Sequence, residues 1–366
     1  MTARTPIAAW AQAHGATFGQ FAGWEMPAHY GDLAGEYRAT LDSAALFDYS
    51  YAGKLELSGP DAPSFLGNLS TNDIASLPLG GGCETYFCDH RAKVQHAGWV
   101  YRVLLDGMRN GFWLDTTPGR DELLIRHLDR YLISEAVEMV NRTTQFAQFH
   151  LAGPRAKAIL AEAIGSDLPE LDEFLHMERT IGANAVVSLR RHDPLGVPGY
   201  DLVCTNERAE AVVRMLVDSL GAQPAGLETY ETLRIEAGTP IYGIDIDENR
   251  FVMEVANALR AVSYRKGCYL GQEPIVMARD RAGFVNRSFL GMTVSREEPL
   301  PAGTKVMREN TEVGIITSSI RAPGRSNAVA IGYLRRGHQD IGTILEADVN
   351  GVRVPVTVAG FPVNRS

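Results

Sequence analysis

Cysteine is scarce in this chain of 366 residues, and its four thiols are scattered: Cys83, Cys88, Cys204 and Cys268. They form neither a CxxC pair nor a Cys/His spacing typical of zinc. A disulfide framework is therefore excluded, and we expect reduced thiols in a cytoplasmic protein. Cys83 and Cys88 precede and enter a predicted strand, and no second ligand pair lies at metal spacing, so we predict no bound metal or iron–sulfur cluster.

Long apolar runs and an excess of positive charge are also missing. No stretch approaches the ~18 apolar residues of a membrane span, and the N-terminus lacks the apolar core of a secretory signal. The 35 Lys and Arg residues against 44 Asp and Glu residues give a net charge of −9, so no global positive field exists for nucleic acid. Hydrophobic residues make up 45 % and charged residues 22 %, which at this length predicts a globular protein of two or three domains.

Two similar strand-turn-helix segments are present. Lys54 to Ser58 alternates polar and apolar residues as a half-buried strand does, and Gly59-Pro60 precedes a helical run from Ala62 to Asn68. The same order returns around Leu151 and Gly153-Pro154. A structural repeat and a coincidence of common local chemistry are both open interpretations.

The C-terminal region has the texture of short strands and turns. Before it, apolar residues on one face predict a helix from Ala225 to Ala237, ended by Gly238. Asn350-Gly351 lies between two alternating runs and predicts a two-residue type I′ hairpin. We therefore expect a larger α+β portion over residues 1–286 and a small β domain over residues 287–366.

Unusual residues concentrate between Arg265 and Glu273, which we call the motif segment. Its glycines allow close approach of a ligand to the backbone, and its flanking cations favour the thiolate of Cys268. Gln272 can pair with a heterocyclic amide edge, and cations such as Lys266 can hold a carboxylate tail. The alternative is a linker with a buried, inert cysteine.

The octapeptide Lys266-Gly267-Cys268-Tyr269-x-Gly271-Gln272-Glu273 resembles the signature of the YgfZ-type folate-binding proteins, relatives of the T-protein (aminomethyltransferase) of the glycine cleavage system. Gly23 to Pro27, Thr71-Asn72-Asp73 and Leu233 to Gly238 resemble the wider superfamily. The resemblance implies an α+β, T-protein-like fold with three domains around a central folate-binding opening. Residues 1–286 would form two interleaved subdomains, and the C-terminal domain would be an antiparallel β-barrel.

The resemblance also implies which residues bind the cofactor, tetrahydrofolate or a one-carbon-loaded derivative. Asp201, after Gly199-Tyr200, falls where T-proteins have a glutamate that holds the pterin ring, and Arg234 matches a superfamily arginine. Arg234 has an alternative role in an i,i+3 ion pair with Glu231. With Asp201 and Arg234, the expected cofactor-binding residues are Tyr200, Lys266, Tyr269 and Gln272.

One departure from the T-proteins concerns the catalytic carboxylate. T-proteins carry consecutive aspartates where this chain has His96-Ala97. His96 is a candidate proton-transfer group, since an imidazole titrates near neutrality. The missing acid disfavours ordinary glycine cleavage but not demethylation.

The function that the resemblance implies first is folate-linked assistance to the assembly or repair of iron–sulfur enzymes. Cys268 would be its functional thiol, and its partners would be folate and iron–sulfur client proteins. The alternative is a folate-dependent one-carbon transferase, either an aminomethyltransferase or a methyl-donor demethylase. A third interpretation is a folate-gated interaction module without turnover.

Overall fold

A computed structural model describes residues 2–105, 107–256 and 258–363. Its strands, numbered in chain order, are β1 (Ala3–Arg4), β2 (Thr17–Phe21), β3 (Trp24–His29), β4 (Ala45–Asp48), β5 (Gly53–Ser58), β6 (Gly82–Cys88), β7 (Val94–Leu105), β8 (Arg109–Thr116), β9 (Glu138–Asn141), β10 (Phe146–Ala152), β11 (His176–Ile181), β12 (Ala185–Arg191), β13 (Gly199–Thr205), β14 (Gln223–Ala225), β15 (Arg287–Val294), β16 (Lys305–Arg308), β17 (Thr311–Ile320), β18 (Val329–Arg335), β19 (Ile344–Val349) and β20 (Val352–Ala359).

The α-helices are α1 (Ala8–Ala13), α2 (Leu33–Asp42), α3 (Ala62–Leu69), α4 (Asp121–Asp129), α5 (Ala156–Ile164), α6 (Asn206–Val213), α7 (Leu227–Ala237), α8 (Ala258–Ala261) and α9 (Gln272–Val276). Helix α6 continues into a π-helical stretch, Arg214–Ser219, and α9 into another, Met277–Ala282. A short 3₁₀ turn covers Val252–Glu254. In the described part of the chain, no helix is long and apolar enough to span a membrane.

Two antiparallel layers dominate the N-terminal portion. The five-stranded sheet has the order β6-β7-β8-β5-β9, and the six-stranded sheet has the order β11-β12-β13-β10-β4-β14, in which only the β14–β4 pair is parallel. A small sheet, β1-β3-β2, lies beside them. Apolar residues of α3 and α4 pack on the five-stranded sheet, and those of α5 and α6 pack on the six-stranded sheet. The resulting fold is α+β, as the sequence predicts.

The two similar segments adopt the same local structure. β5 leads through Gly59 into α3, and β10 leads through Gly153 into α5. Both glycines have a positive φ, +115° and +129°, and a Cβ at either one would lie 2.1 Å from Ala136 O or 2.4 Å from Ser43 O. Both turns therefore require glycine for the same two reasons, backbone angle and close approach.

The C-terminal region closes into an antiparallel barrel with the strand order β15-β18-β17-β16-β19-β20, and β20 pairs back to β15. The predicted hairpin is confirmed: Val349 pairs with Val352, and Asn350 and Gly351 have φ values of 53° and 86°. The predicted helix before the barrel is α7, and Gly238 ends it with a φ of 80°. Helix α7 packs on β4 and on the barrel strands β17 and β18, so it joins the two portions.

Candidate functional site

A small central cavity lies where the two large sheets meet α7. The five-stranded sheet contributes Trp99 and Asp115, the six-stranded sheet contributes Gln148 and Asp201, and α7 contributes Tyr230 and Arg234. Its volume is about 20 Å³, room for about one water molecule. A wider groove of about 690 Å³ adjoins it, because Tyr230 and Ile241 line both spaces.

Asp201 is buried in the cavity wall and receives hydrogen bonds from two imidazoles. His150 Nδ1 lies 2.8 Å from its Oδ1, and His192 Nδ1 lies 3.0 Å from its Oδ2. Burial alone would raise the pKa of Asp201, but the hydrogen bonds and charges of His150 and His192 outweigh it and hold the pKa well below its usual range. The carboxylate that the sequence assigned to a pterin ring is therefore already bonded to two protein donors.

Sequence reasoning missed both histidines. His150 lies directly opposite Asp201 on the neighbouring strand β10, so alternation on an aligned strand pair could have suggested it. His192 follows β12 in the loop before β13, and no sequence pattern signalled its position.

Several buried polar atoms around the cavity have no hydrogen-bond partner among the described residues. They are Trp99 Nε1, Thr117 Oγ1, Gln148 Oε1 and His150 Nε2, and the first three belong to residues that line the cavity. Leaving a buried donor or acceptor unpaired costs about 1–3 kcal/mol. Such a concentration around one space favours a polar ligand or ordered water there.

Arg234 is fully buried and forms ion pairs on both sides. It contacts Glu231, one helical turn earlier, and its NH1 lies 2.7 Å from Asp245 Oδ2. Burial lowers the pKa of Arg234, but the charges of Asp245 and Glu231 outweigh this effect and raise the pKa. Asp245 Oδ1 also accepts hydrogen bonds from Thr317 and Ser318 of β17 at 2.6 and 2.7 Å. The predicted Glu231 pair is present, and the same arginine lies in the cavity wall.

Tyr200 points away from this cavity. Successive side chains of a strand face opposite sides, so Tyr200 and Asp201 separate. Tyr200 is buried in the hydrophobic core with α5 and α6, and the Arg191 guanidinium lies 5.2 Å from its ring centre.

His96 also lies on the other side of its sheet. Trp99 faces the cavity, whereas His96 packs near His127 of α4, with ring centres 5.2 Å apart. Burial, followed by the charge of His127, lowers the pKa of His96 to about 3. Side chains alternate along β7, so His96 lies on the face of the sheet opposite to Trp99 and the cavity. Ala97 lies on the same face as Trp99, but it carries no ionisable group.

The motif segment packs against the loop that follows α3. Lys266 Nζ donates to three backbone carbonyls, those of Gly67, Ser70 and Asn72, the last two at 2.7 and 2.8 Å. Burial lowers the pKa of Lys266 to about 8. The Lys266 ammonium also lies 4.7 Å from the ring centre of Tyr269, which is buried. Both side chains therefore hold two pieces of chain together.

Cys268 and Gln272 complete the motif segment. Cys268 is exposed, whereas Cys83 is half-buried and Cys88 and Cys204 are buried. Gln272 begins α9 after Gly271, whose φ is 81° and whose Cβ would lie 2.5 Å from Asp89 O. Among the described residues that line the central cavity, none belongs to the motif segment.

Two of the cysteines lie in surroundings that disfavour the thiolate form. Burial raises the pKa of Cys83 and Cys88 to about 12, which disfavours the thiolates that ligate metals. Within residues 2–105, 107–256 and 258–363, no three His, Cys, Asp or Glu side chains are grouped to hold an ion.

Two family models match most of the chain. The GCVT N-terminal domain matches residues 7–266, and the glycine cleavage T-protein C-terminal barrel domain matches residues 287–363.

Curated relatives extend the match to the whole length. An aminomethyltransferase of Saccharopolyspora erythraea is 29 % identical and aligns with 99 % of this chain and 98 % of its own. One of Rubrobacter xylanophilus is 28 % identical over 90 % of this chain and 87 % of its own. The crystal structure of glycine cleavage system aminomethyltransferase T from Bartonella henselae superposes with a TM-score of 0.87 at 24 % identity, covering 99 % of this chain and 98 % of that one; this likeness establishes the fold.

Proposed function

The chain belongs to the glycine cleavage T-protein family, and on that premise we propose that it is a folate-dependent one-carbon transferase. Its cofactor is tetrahydrofolate or a one-carbon-loaded derivative, bound with the pterin ring at the central cavity. The curated relatives named aminomethyltransferase support this class of reaction.

The observation that carries the proposal is the set of unpartnered polar atoms around the cavity. Gln148 Oε1 offers an acceptor and the Thr117 hydroxyl a donor, and a reduced pterin carries both N–H donors and a carbonyl acceptor. The donor set of the wall therefore fits this cofactor. The adjoining groove of about 690 Å³ has space for the rest of such a molecule, and Arg120 at its edge provides a positive charge.

Binding of the pterin ring requires a side chain of the cavity wall to move. The cavity has a volume of about 20 Å³, which is too small for a system of two fused rings. Trp99 is the side chain best placed to move. It is half-buried, and its Nε1 has no partner among the described residues. Tyr49 and Tyr230, by contrast, stack at 5.0 Å between ring centres.

The iron–sulfur assembly role, which the sequence favoured first, has weaker support than the transferase role. It depended on the motif segment, whose Lys266 and Tyr269 are engaged in packing. The two curated relatives described above are both named aminomethyltransferase. We therefore propose no iron–sulfur client.

The one-carbon unit is aminomethyl or methyl, and a product screen decides between these two classes. Tetrahydrofolate and small aminomethyl and methyl donors are incubated with the protein, and the folate products are identified by mass spectrometry. We expect turnover with one donor class. Tight binding of tetrahydrofolate without any product would overturn the transferase proposal, and absence of folate binding would overturn the cofactor proposal as well.

A variant at Asp201 tests where the cofactor binds. Asp201→Asn removes the charge that orients His150 and His192, so the polar groups of the cavity wall lose the arrangement that the pterin ring meets. We expect tetrahydrofolate to bind at least about tenfold more weakly by calorimetry. Asp167→Asn makes the same change on the surface and should leave the affinity unaltered. Equal affinity in the two variants would remove Asp201 from the site.

A further inference from the structure

Two imidazoles share Asp201, and that arrangement determines which of their nitrogens are free. An ionised carboxylate only accepts hydrogen bonds, so both Nδ1 atoms carry hydrogen in the two contacts of 2.8 and 3.0 Å. Whenever one of these imidazoles is neutral, its Nε2 is the nitrogen with the lone pair. Asp201 thereby orients both rings at once.

The surroundings of the two Nε2 atoms differ. His150 Nε2 is buried without a partner, and a Cβ on Gly199 would lie 2.9 Å from it, so the backbone closes off that side. His192 lines the cavity, with its ring centre 5.1 Å from that of Trp99. No described residue hydrogen-bonds to His192 Nε2. His192 is thus the imidazole that a molecule in the cavity can reach.

The other ionisable side chains of the cavity are occupied. Asp115 accepts from Trp113 Nε1 at 2.8 Å and pairs with Arg190. Arg234 is paired twice. Burial raises the pKa of Tyr49 and Tyr230 above the usual range of a phenol, which makes both poor proton donors near neutral pH.

We propose that His192 is the proton-transfer residue of the central cavity and that Asp201 positions it. This inference rests on the proposed one-carbon transferase function. His192 Nε2 takes the proton that a ligand nitrogen loses when its new bond to carbon forms. It returns that proton to the leaving group when the bond between carbon and donor breaks, so no net proton is consumed. Asp201 stabilises the transient imidazolium.

The charges around His192 suit this cycle. Asp201 faces it from β13, His150 from β10, and Glu84 from β6, and Glu84 is itself paired with Arg260. The neighbouring rings of Trp99 and Phe174 are uncharged. The imidazolium is therefore formed beside carboxylates.

Chemical labelling of the wild-type protein tests whether a ligand reaches His192. Diethylpyrocarbonate modifies free imidazole nitrogens, and peptide mapping locates the product. We expect saturating tetrahydrofolate to slow labelling of His192 at least about fivefold and to leave His90, which is exposed, unchanged. Undiminished labelling of His192 at saturating tetrahydrofolate would overturn the proposal and leave folate binding itself intact.

A pair of matched variants tests the proton transfer. His192→Asn retains an N–H group for Asp201 but lacks Nε2, and His150→Asn makes the same change at the enclosed imidazole. We expect His192→Asn to lower the turnover rate at least about 100-fold and to change the shape of the rate–pH profile. His150→Asn should leave the shape of that profile unaltered. Thermal unfolding checks that both variants fold.

Proton exchange on binding gives a readout that needs no turnover. Calorimetry of tetrahydrofolate binding in buffers of different ionisation heat measures the protons exchanged. We expect His192→Asn to change this number of protons. The inference fails, and the proposed function stands, if the wild-type protein binds tetrahydrofolate and turns over while His192→Asn keeps the same turnover rate, rate–pH profile and number of exchanged protons. If no folate binds, both fail.

Discussion

The motif segment and the central cavity differ in whether their polar side chains have hydrogen-bond partners. In the motif segment, Lys266 gives its hydrogen bonds to three backbone carbonyls. At the cavity, Trp99 Nε1 and Gln148 Oε1 have no partner in the described part of the chain. Residues whose polar groups are satisfied by the fold stabilise it, whereas buried groups without partners leave bonds for a ligand to make. An unusual sequence pattern alone does not distinguish these roles.

The largest effect that we expect comes from the ion pairs behind the cavity. Arg234→Met leaves Asp245, which is fully buried, without its cation, and breaking a buried pair costs about 3–5 kcal/mol. Urea unfolding measures the loss. The double variant Arg234→Met with Asp245→Leu removes the stranded charge and should recover part of the stability. A single variant as stable as wild type would contradict the role of this pair in joining α7 to the barrel.

Lys266→Met tests whether the motif segment stabilises the fold without binding the ligand. It leaves three carbonyls without their charged donor, and we expect a loss of about 1.5–3 kcal/mol in the free energy of unfolding. Tetrahydrofolate affinity should not change, because Lys266 does not line the cavity. Arg265→Met, at the exposed neighbour, is the control and should be neutral. A loss of tetrahydrofolate affinity in Lys266→Met without a loss of stability would show that the motif segment takes part in folate binding.

Lowering the pH should destabilise the protein through His96 and His127, which lie on the face of the five-stranded sheet away from the cavity. Burial lowers the pKa of His96 to about 3 and that of His127 to about 4. Between the unfolded-state pKa of about 6.5 and these values, the unfolded chain binds protons that the folded chain does not, so stability falls as pH falls. Each histidine contributes up to about 1.4 kcal/mol per pH unit.

Denaturant unfolding from pH 7 to pH 5 measures that slope. His96→Leu should reduce it by about one proton, and His90→Leu, at an exposed site, should not alter it. An unchanged slope in His96→Leu would mean that His96 binds protons equally in the folded and unfolded chain, which contradicts a lowered pKa.

The smallest effect is expected at Cys268. Cys268→Ser should change stability by less than about 0.5 kcal/mol, because the side chain is exposed. Timed alkylation with peptide mapping should label Cys268 before Cys88 and Cys204, which are buried. Tetrahydrofolate should not slow this labelling. Protection by folate would place Cys268 near the ligand and weaken the contrast between the two regions.

Local rules were sufficient for several elements. The Asn350-Gly351 hairpin and the end of α7 at Gly238 depend on positive φ angles, which neighbouring residues and glycine determine. The strand-turn-helix segments around Gly59 and Gly153 follow from alternation and a proline-containing turn. Such patterns are readable because the interacting groups lie a few residues apart.

The site was less readable from sequence. Asp201 and Arg234 were expected near a ligand, and both line the cavity. Tyr200 and His96 were expected there too, but strand alternation turns both side chains to the opposite faces of their sheets. Resemblance to a motif identifies residues along the chain. Only the pairing of strands in the structure shows which of their side chains lie on the same face of a sheet.

The sequence by itself determined the α+β class, the C-terminal β region, the hairpin and the family resemblance, since these depend on residue types and on spacings within one segment. The tertiary structure decided that His150 and His192 meet at Asp201, that Lys266 contacts the loop after α3, and that Arg234 pairs with Asp245. Each of these contacts joins separate elements or loops. Their geometry depends on how whole sheets and helices pack, and no local pattern encodes that packing.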